Sequence, residues 1–254
     1  LIEDLAHCVG TQYLPAARLP AGQGRQGGNG KEAGTVGDMT ILSFSQDKII
    51  DAVSGGALVI RNKKYQNHKA NIDYLKPKSQ LKDRIYPLVA YKIRSLYKYG
   101  VGKPYHFILR KLNLLSNIMD NDFYDFYSLP DWYRRLALYQ FAKLEKQLEH
   151  RRKIAQIYAQ NLDKRLLFEQ ISKTIDFSSN LRFPILVRGR KKLIRNLARH
   201  GIFVSDVWYD EVAPECPNAL EIAKKILNLP THIGITEKQA LKICELINLW
   251  QKSE

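Results

Sequence analysis

Ser43-Phe44-Ser45-Gln46-Asp47-Lys48, with Gly55-Gly56 following the lysine by seven and eight positions, is the stretch on which the fold turns. It lies between two strand-like runs, Met39 to Ser45 and Gly56 to Ile60, rich in Ile, Leu, Val and Phe. A lysine held between two buried strands is an unusual placement for a long cationic side chain. Burial there disfavours the charge and releases a neutral amine, the form that condenses with a carbonyl. Ser43 supplies a hydroxyl beside the same loop, and the paired glycines permit close backbone approach to a bound group. Singly each feature is weak, since a lone lysine in a loop is most often solvated.

Upstream, Leu1-Ile2-Glu3-Asp4 is a short apolar run ending in two acids. It predicts the end of a buried strand entered from something earlier, in a chain that begins inside a domain. Asp4 and His7 follow that strand, and an aspartate at a strand end can form a charge-assisted bond to a protonated ring nitrogen. Between here and Met39 the composition changes: six of the 15 glycines fall between Gly22 and Gly34. So polar a stretch predicts a flexible loop. Its Gly22-Gln-Gly24-Arg-Gln-Gly27 matches a dinucleotide-binding pattern, but Pro15 and Pro20 precede it and Gly28-Asn29-Gly30-Lys31 follows. Neither the strand before nor the helix after is there, so the match fails. Gly30-Lys31 is no phosphate loop either, because Glu32 stands at the hydroxyl position.

Downstream, residues 61–128 interleave Lys and Arg with Tyr, Leu and Ile and predict short helices. Their charge could face phosphates or an anionic membrane. A solvated surface around a connection is favoured, because no single clean amphipathic stripe emerges. Pro130 and Asp131 open a long helix, with Phe141, Leu148, Ala155 and Leu162 every seven positions. Beyond it the spacing predicts a strand over Arg182 to Val187, a helix over Lys191 to His200 stopped by Gly201, and a strand over Ile202 to Ser205. Helices over Ala219 to Leu227 and Glu237 to Trp250 complete a small α/β unit. The expected organisation is a partial large domain with its basic segment over 1–128, a linking helix over 129–163 and a small domain over 164–254.

The 254 residues are 45% apolar, enough for a core, and this excludes disorder as the main state. Forty Lys and Arg against 25 Asp and Glu leave a charge of +15, which favours phosphate-bearing partners or an anionic surface. No recognised nucleic-acid module accompanies that charge. No apolar run approaches the roughly 18 to 20 residues of a spanning helix. Cys8, Cys216 and Cys244 are odd in number, far apart and not in metal-ligand spacing, which predicts inert thiols, no metal site and a reduced, cytoplasmic setting.

Taken in order, Ile2 to His7, Gly37-Asp38, Ser43 to Lys48 and Gly55-Gly56-Ala57 resemble the DegT/DnrJ/StrS family of sugar-nucleotide aminotransferases. The helix with Gln140 to Glu145 and Arg151 is similar to that family's link between large and small domains. Leu227-Asn228-Leu229-Pro230-Thr231-His232 resembles its C-terminal pattern. The resemblance runs nearly end to end and implies an α/β fold-type-I transferase, here a partial large domain plus a small C-terminal α/β domain.

The cofactor so implied is pyridoxal 5'-phosphate (PLP). By the same resemblance Lys48 would be the catalytic residue and carry the cofactor as an imine. Asp4 would pair with the pyridinium nitrogen, His7 would sit near the ring and its phenolic oxygen, and Ser43 would bind the phosphate. A nucleotide-sugar substrate, an amino-acid donor and a homodimer with shared active sites are also implied. The sequence departs from the family in several places. The N-terminal half of the large domain is not present, and the glycine-rich stretch is longer than usual. Val53-Ser54-Gly55-Gly56 stands where Gly-Glu-Gly-Gly is usual, and no Asn is evident near Asp131-Trp132. A non-catalytic protein of the same fold, binding nucleotide-sugar or an anionic surface, is the alternative. It needs none of Asp4, Ser43 and Lys48. Related dehydratases carry histidine in place of the lysine, so Lys48 argues for transamination.

Overall fold

A computed structural model of the chain describes residues 1–14, 30–66, 73–74, 77–116, 127–205 and 213–253. The lysine loop hangs from a three-stranded sheet in the order β1 (Ile2–Asp4), β2 (Met39–Ser43) and β3 (Gly56–Ile60). β1 runs parallel to β2 with Asp4 opposite Ile41, and β3 runs antiparallel to β2 with Ser43 opposite Gly56. Alternation along the strands then puts Ile2, Asp4, Ile41, Ser43 and Leu58 on one face.

The opposite face is anchored by Glu3, a buried carboxylate. It accepts the backbone N–H groups of Gly34 (2.7 Å) and Val36 (2.9 Å), and the Arg61 guanidinium approaches it at 3.4 Å. Arg61 also donates to the Gly37 carbonyl at 2.9 Å, and the Thr40 hydroxyl to the Gly34 carbonyl at 2.8 Å. A buried charge is tolerated when several donors satisfy it, and these bonds fix the turn that feeds β2.

The expectation of buried strands around the lysine is corrected here. Ile2, Ile41 and Leu58 are exposed, the last at 56%. On the other face the polar cluster just described buries Glu3 and Thr40, while Val59 stays exposed.

The same unit continues through β4 (Asp73–Tyr74), α1 (Pro77–Tyr97), α2 (Gly102–Lys111), β5 (Tyr127–Ser128) and α3 (Asp131–Phe141), with β4 and β5 paired in parallel. α1 and α2 pack as a hairpin. A side chain at Gly102 would meet the Tyr97 amide nitrogen at 2.8 Å and the Ile93 carbonyl at 2.9 Å, so only glycine fits the corner. α4 (Leu144–Asn161) follows α3 after two residues. The long helix expected from the seven-residue spacing is therefore two. The Lys143 amide bonds the carbonyl three residues back, at Gln140 (3.0 Å), which tightens the turn and breaks the regular ladder.

Two compact units divide the chain, one of Leu1–Val9 with Ala33–Leu144, the other of Gly10–Glu32 with Glu145–Glu254. The second contains α4, α5 (Ile171–Thr174), β6 (Arg182–Leu186), α6 (Arg190–Arg199), α7 (Pro217–Lys225), β7 (Ile226–Pro230) and α8 (Glu237–Ser253). β6 and β7 are antiparallel, and each alternates buried with partly exposed residues. Phe183, Ile185, Leu227 and Leu229 face a core completed by Ile154, Tyr158, Leu193, Leu197, Ile243 and Ile247. A two-stranded ribbon keeps outer edges unpaired, which accommodates Pro184 and Pro230.

The buried Arg151 ties α4 to this ribbon, donating to the Leu181 carbonyl and the Thr231 hydroxyl, both at 3.0 Å. Burial, and then Arg182, depress its pKa to about 10. Two local expectations are corrected. Residues 202–205 form no strand, and the second strand is β7, within a segment whose start was read as helix. Most of the glycine-rich stretch, with its Gly22 to Gly27 pattern, lies outside the described residues.

Candidate active site

Asp4 ends β1 and Ser43 ends β2, so two parallel neighbouring strands deliver a carboxylate and a hydroxyl on one face at their carboxyl ends. In open α/β sheets this is where ligands bind. Asp4 is exposed, and its Oδ1 accepts the Ala6 N–H at 2.8 Å, an aspartate turn that reverses the chain toward His7. The Ser43 and Ser45 hydroxyls lie 3.0 Å apart, two adjacent oxygens beyond the strand end.

Lys48 is half-buried in the loop joining β2 to β3, and its Nζ is hydrogen-bonded to His7 Nε2. The amine thus reaches back across the strand ends to the loop after β1. The structure brings Lys48 and His7 together directly and puts Asp4 and Ser43 on the adjoining strand ends.

The lysine loop is held in an unusual backbone conformation. Asp47 has φ +64°, Val53 φ +73° and Gly55 φ +91°. For a β-branched residue such as Val53 this left-handed conformation is strained, and strain of this kind collects at functional sites. The loop is clamped from within: Phe44 N–H donates to the Gly55 carbonyl and Ala52 N–H to the Phe44 carbonyl, both at 2.8 Å. Phe44 meets Phe141 edge to face, ring centres 6.0 Å apart.

Gly55 and Gly56 serve this clamp. A side chain at Gly56 would strike the Leu42 carbonyl at 2.4 Å, and one at Gly55 the Leu129 side chain, so the close approach that the glycines allow is to the protein's own chain. Asp51, in the same loop, accepts the Val53 N–H at 2.9 Å. Desolvation raises its carboxyl above the ordinary range despite that bond.

A polar chain behind the loop carried no sequence signal. Gln46 donates to Ser116 Oγ at 3.1 Å, Ser116 to Asp83 Oδ1 at 2.5 Å, and Tyr133 to Asp83 Oδ2 at 2.5 Å. Bonded neighbours in it lie up to 70 positions apart, and only folding brings them together. Glu3 was equally silent, since an acid inside a three-residue strand looks like an exposed end.

All three cysteines are free: Cys8 half-buried, Cys216 exposed and Cys244 buried, the last with its thiol pushed up to about 12 by desolvation. Burial and then the Asp4 carboxylate also raise the Cys8 thiol. Among the described residues no cluster of three or more His, Cys, Asp or Glu could hold a metal, and no helix is long and apolar enough to cross a membrane.

Sheet, strand-end site and small ribbon-and-helix unit together make this an α/β protein with the fold-type-I transferase architecture. The fold is shared with Helicobacter pylori PseC, an aminotransferase involved in the biosynthesis of pseudoaminic acid (TM-score 0.61, 17% identity, 100% of this chain and 60% of that one). It is shared too with the putative sugar aminotransferase Spr1654 of Streptococcus pneumoniae in its PMP form (TM-score 0.59, 19% identity, 99% and 57%).

The chain belongs to the DegT/DnrJ/EryC1/StrS aminotransferase family, whose pattern matches residues 1–94 and 127–248. It is 26% identical over 259 aligned positions to the UDP-4-amino-4,6-dideoxy-N-acetyl-beta-L-altrosamine transaminase of Campylobacter jejuni, covering 94% of this chain and 55% of the relative. It is 23% identical to the GDP-perosamine synthase of Escherichia coli O157:H7, covering 98% and 57%. The chain therefore spans little more than half the length of these relatives.

Proposed function

We propose that this protein is a PLP-dependent aminotransferase acting on a keto-sugar nucleotide, with Lys48 as its catalytic lysine. The observation that carries this is the Lys48 amine, held against His7 beside the Asp4 and Ser43 strand ends. The donor set fits the group: an amine for its aldehyde, a carboxylate for its ring nitrogen, an imidazole beside the ring and paired hydroxyls for its phosphate. When bound, PLP supplies a carbonyl for covalent attachment and a ring that accepts electrons. The sugar-aminotransferase relatives support the substrate class, a nucleotide-sugar with an amino-acid donor, and the free thiols agree with a reducing compartment such as the cytoplasm.

The residues divide the work by chemistry. Asp4 would hold the group's ring nitrogen through a charge-assisted bond that favours its protonated form. Ser43, with Ser45 beside it, would donate to the group's phosphate. His7 orients the Lys48 side chain by holding Nζ. With the group bound, the Lys48 amine would be the base placed to take up and return a proton at the donor's α-carbon.

The test is to incubate the protein with PLP, reduce with borohydride and map the modified peptide. Modification of Lys48, lost in Lys48→Ala, is expected. Reduction onto another lysine, or a label that survives Lys48→Ala, overturns the assignment.

A further inference from the structure

The α1–α2 hairpin carries more than a connection needs. Residues 95–126, which include α2 and the end of α1, fall between the two stretches that the family pattern matches. Residues 77–116 hold nine Lys or Arg and one acid, Asp83. That acid is buried and bonded to Tyr133 and Ser116, so this segment offers no exposed carboxylate to offset its cations.

The outward surface is also apolar. Leu81, Ile85 and Leu88 recur at helical spacing along one exposed stripe of α1, Leu88 at 74%, while Asp83, Tyr86, Ala90 and Ile93 turn inward. On α2, Phe107 (67%), Ile108 and Leu112 are exposed among Lys103, Arg110 and Lys111. The stripe hidden in the mixed sequence of this segment becomes visible once the buried side of α1 is known.

We infer that the outward face of this hairpin docks on an anionic lipid bilayer. Exposed leucines and aromatic rings interleaved with Lys and Arg on two packed helices suit the boundary between headgroups and acyl chains, where rings and aliphatic stems sink while the cations stay at phosphate level. Lys98 over the Tyr99 ring (4.7 Å) and Lys92 over the Tyr105 ring (5.6 Å) show cation and ring presented together. The charge decides between occupants. A second copy of the same face would set like charges against one another, whereas an anionic surface complements all of them. This surface role goes beyond the aminotransferase reading and does not depend on it.

The whole protein is floated with phosphatidylglycerol–phosphatidylcholine vesicles and with pure phosphatidylcholine vesicles. Circular dichroism checks the fold of each variant. Recovery with the anionic vesicles only, reduced by added salt, is expected. Arg110→Gln with Lys111→Gln should lower the partition about tenfold or more, since each near-surface cation contributes severalfold. Leu88→Glu with Phe107→Glu should abolish recovery. Equal recovery on both vesicles, recovery on neither, or folded variants that float like the parent overturns the inference. So does concentration-dependent dimerisation that Leu88→Glu abolishes, which would assign the face to a second copy. Binding to soluble polyglutamate as tight as to vesicles would assign it to an acidic protein, with the same consequence.

Discussion

Lys48 Nζ and His7 Nε2, 41 positions apart in sequence, share one hydrogen bond across the ends of β1 and β2. The bond confines a side chain that otherwise has four rotatable bonds and a surface to explore. His7 is exposed, so replacing it should leave the fold intact. The expected effect of His7→Ala is slower capture of pyridoxal phosphate by Lys48, by about tenfold from lost orientation, with an unchanged circular dichroism spectrum. Stopped-flow absorbance followed by borohydride mapping measures it. An unchanged rate would remove His7 as a positioning residue.

Asp51 gives a pH-dependent stability with a definite sign. Burial raises its carboxyl, so the folded protein holds that proton more tightly than the unfolded chain does. The stabilising contribution is therefore complete below the unfolded value, about 3.9, and is lost as pH rises through the folded one. Asp51→Asn keeps an oxygen for the Val53 N–H and removes the buried charge. It should raise Tm at neutral pH, with the gain vanishing toward about pH 4. A gain of equal size at both pH values would show that the charge is not the cause.

What could be read from the sequence followed distance along the chain. Asp4, His7, Ser43, Lys48 and Gly55-Gly56 lie in short segments whose order and spacing carry their own signature, and the structure groups them at adjoining strand ends. The two-residue alternation that makes β7 a strand was present in Ile226 to Pro230, but those residues adjoin a helical pattern, and only pairing with β6 separates the two. Ile202 to Ser205 has strand-forming residues yet forms no strand, so propensity alone did not decide its structure. The amphipathic stripe of α1 was masked because its apolar residues fall on both sides, some covered and some exposed.

Val53 tests the loop's backbone. This valine is buried and adopts φ +73°. Val53→Ala removes buried methyl groups and keeps the strain, costing about 1–3 kcal/mol. Val53→Gly removes slightly more but releases a conformation that costs a non-glycine residue about 1 kcal/mol or more. Glycine ordinarily destabilises relative to alanine by about 0.5–1 kcal/mol. Here the glycine variant should be at least as stable as the alanine variant by denaturant titration. The ordinary ranking would mean that the loop is not strained at this residue.

Arg151 is where a conservative change should fail. Its Nη1 serves both the Leu181 carbonyl and the Thr231 hydroxyl at the buried end of the ribbon. Lysine has a shorter reach and would have to bury its ammonium short of the place where Nη1 meets both acceptors. Arg151→Lys should cost about 2 kcal/mol by denaturant titration. A loss below about 0.5 kcal/mol, the scale of ordinary surface substitutions, would show that the ribbon does not rely on the arginine.

The chain from Tyr133 through Asp83 and Ser116 to Gln46 reaches within two residues of Lys48, and it begins in α3. Tyr133 is fully buried, and desolvation together with its bond to Asp83 raises the phenol further above its usual range. Tyr133→Phe removes one donor from a buried carboxylate and should cost about 1–3 kcal/mol. Ser116→Ala cuts the link between Asp83 and Gln46. Both variants should melt earlier, but Ser116→Ala should also slow labelling of Lys48, because Gln46 then loses its tether. A network held in common makes the effects non-additive, with a coupling of about 0.5–3 kcal/mol in the double variant. Thermal melts of the two single variants and the double variant, with borohydride labelling of each, decide the matter. Additive melting losses together with an unchanged labelling rate in Ser116→Ala would make the chain a local support for α1 and α3 with no hold on the lysine loop.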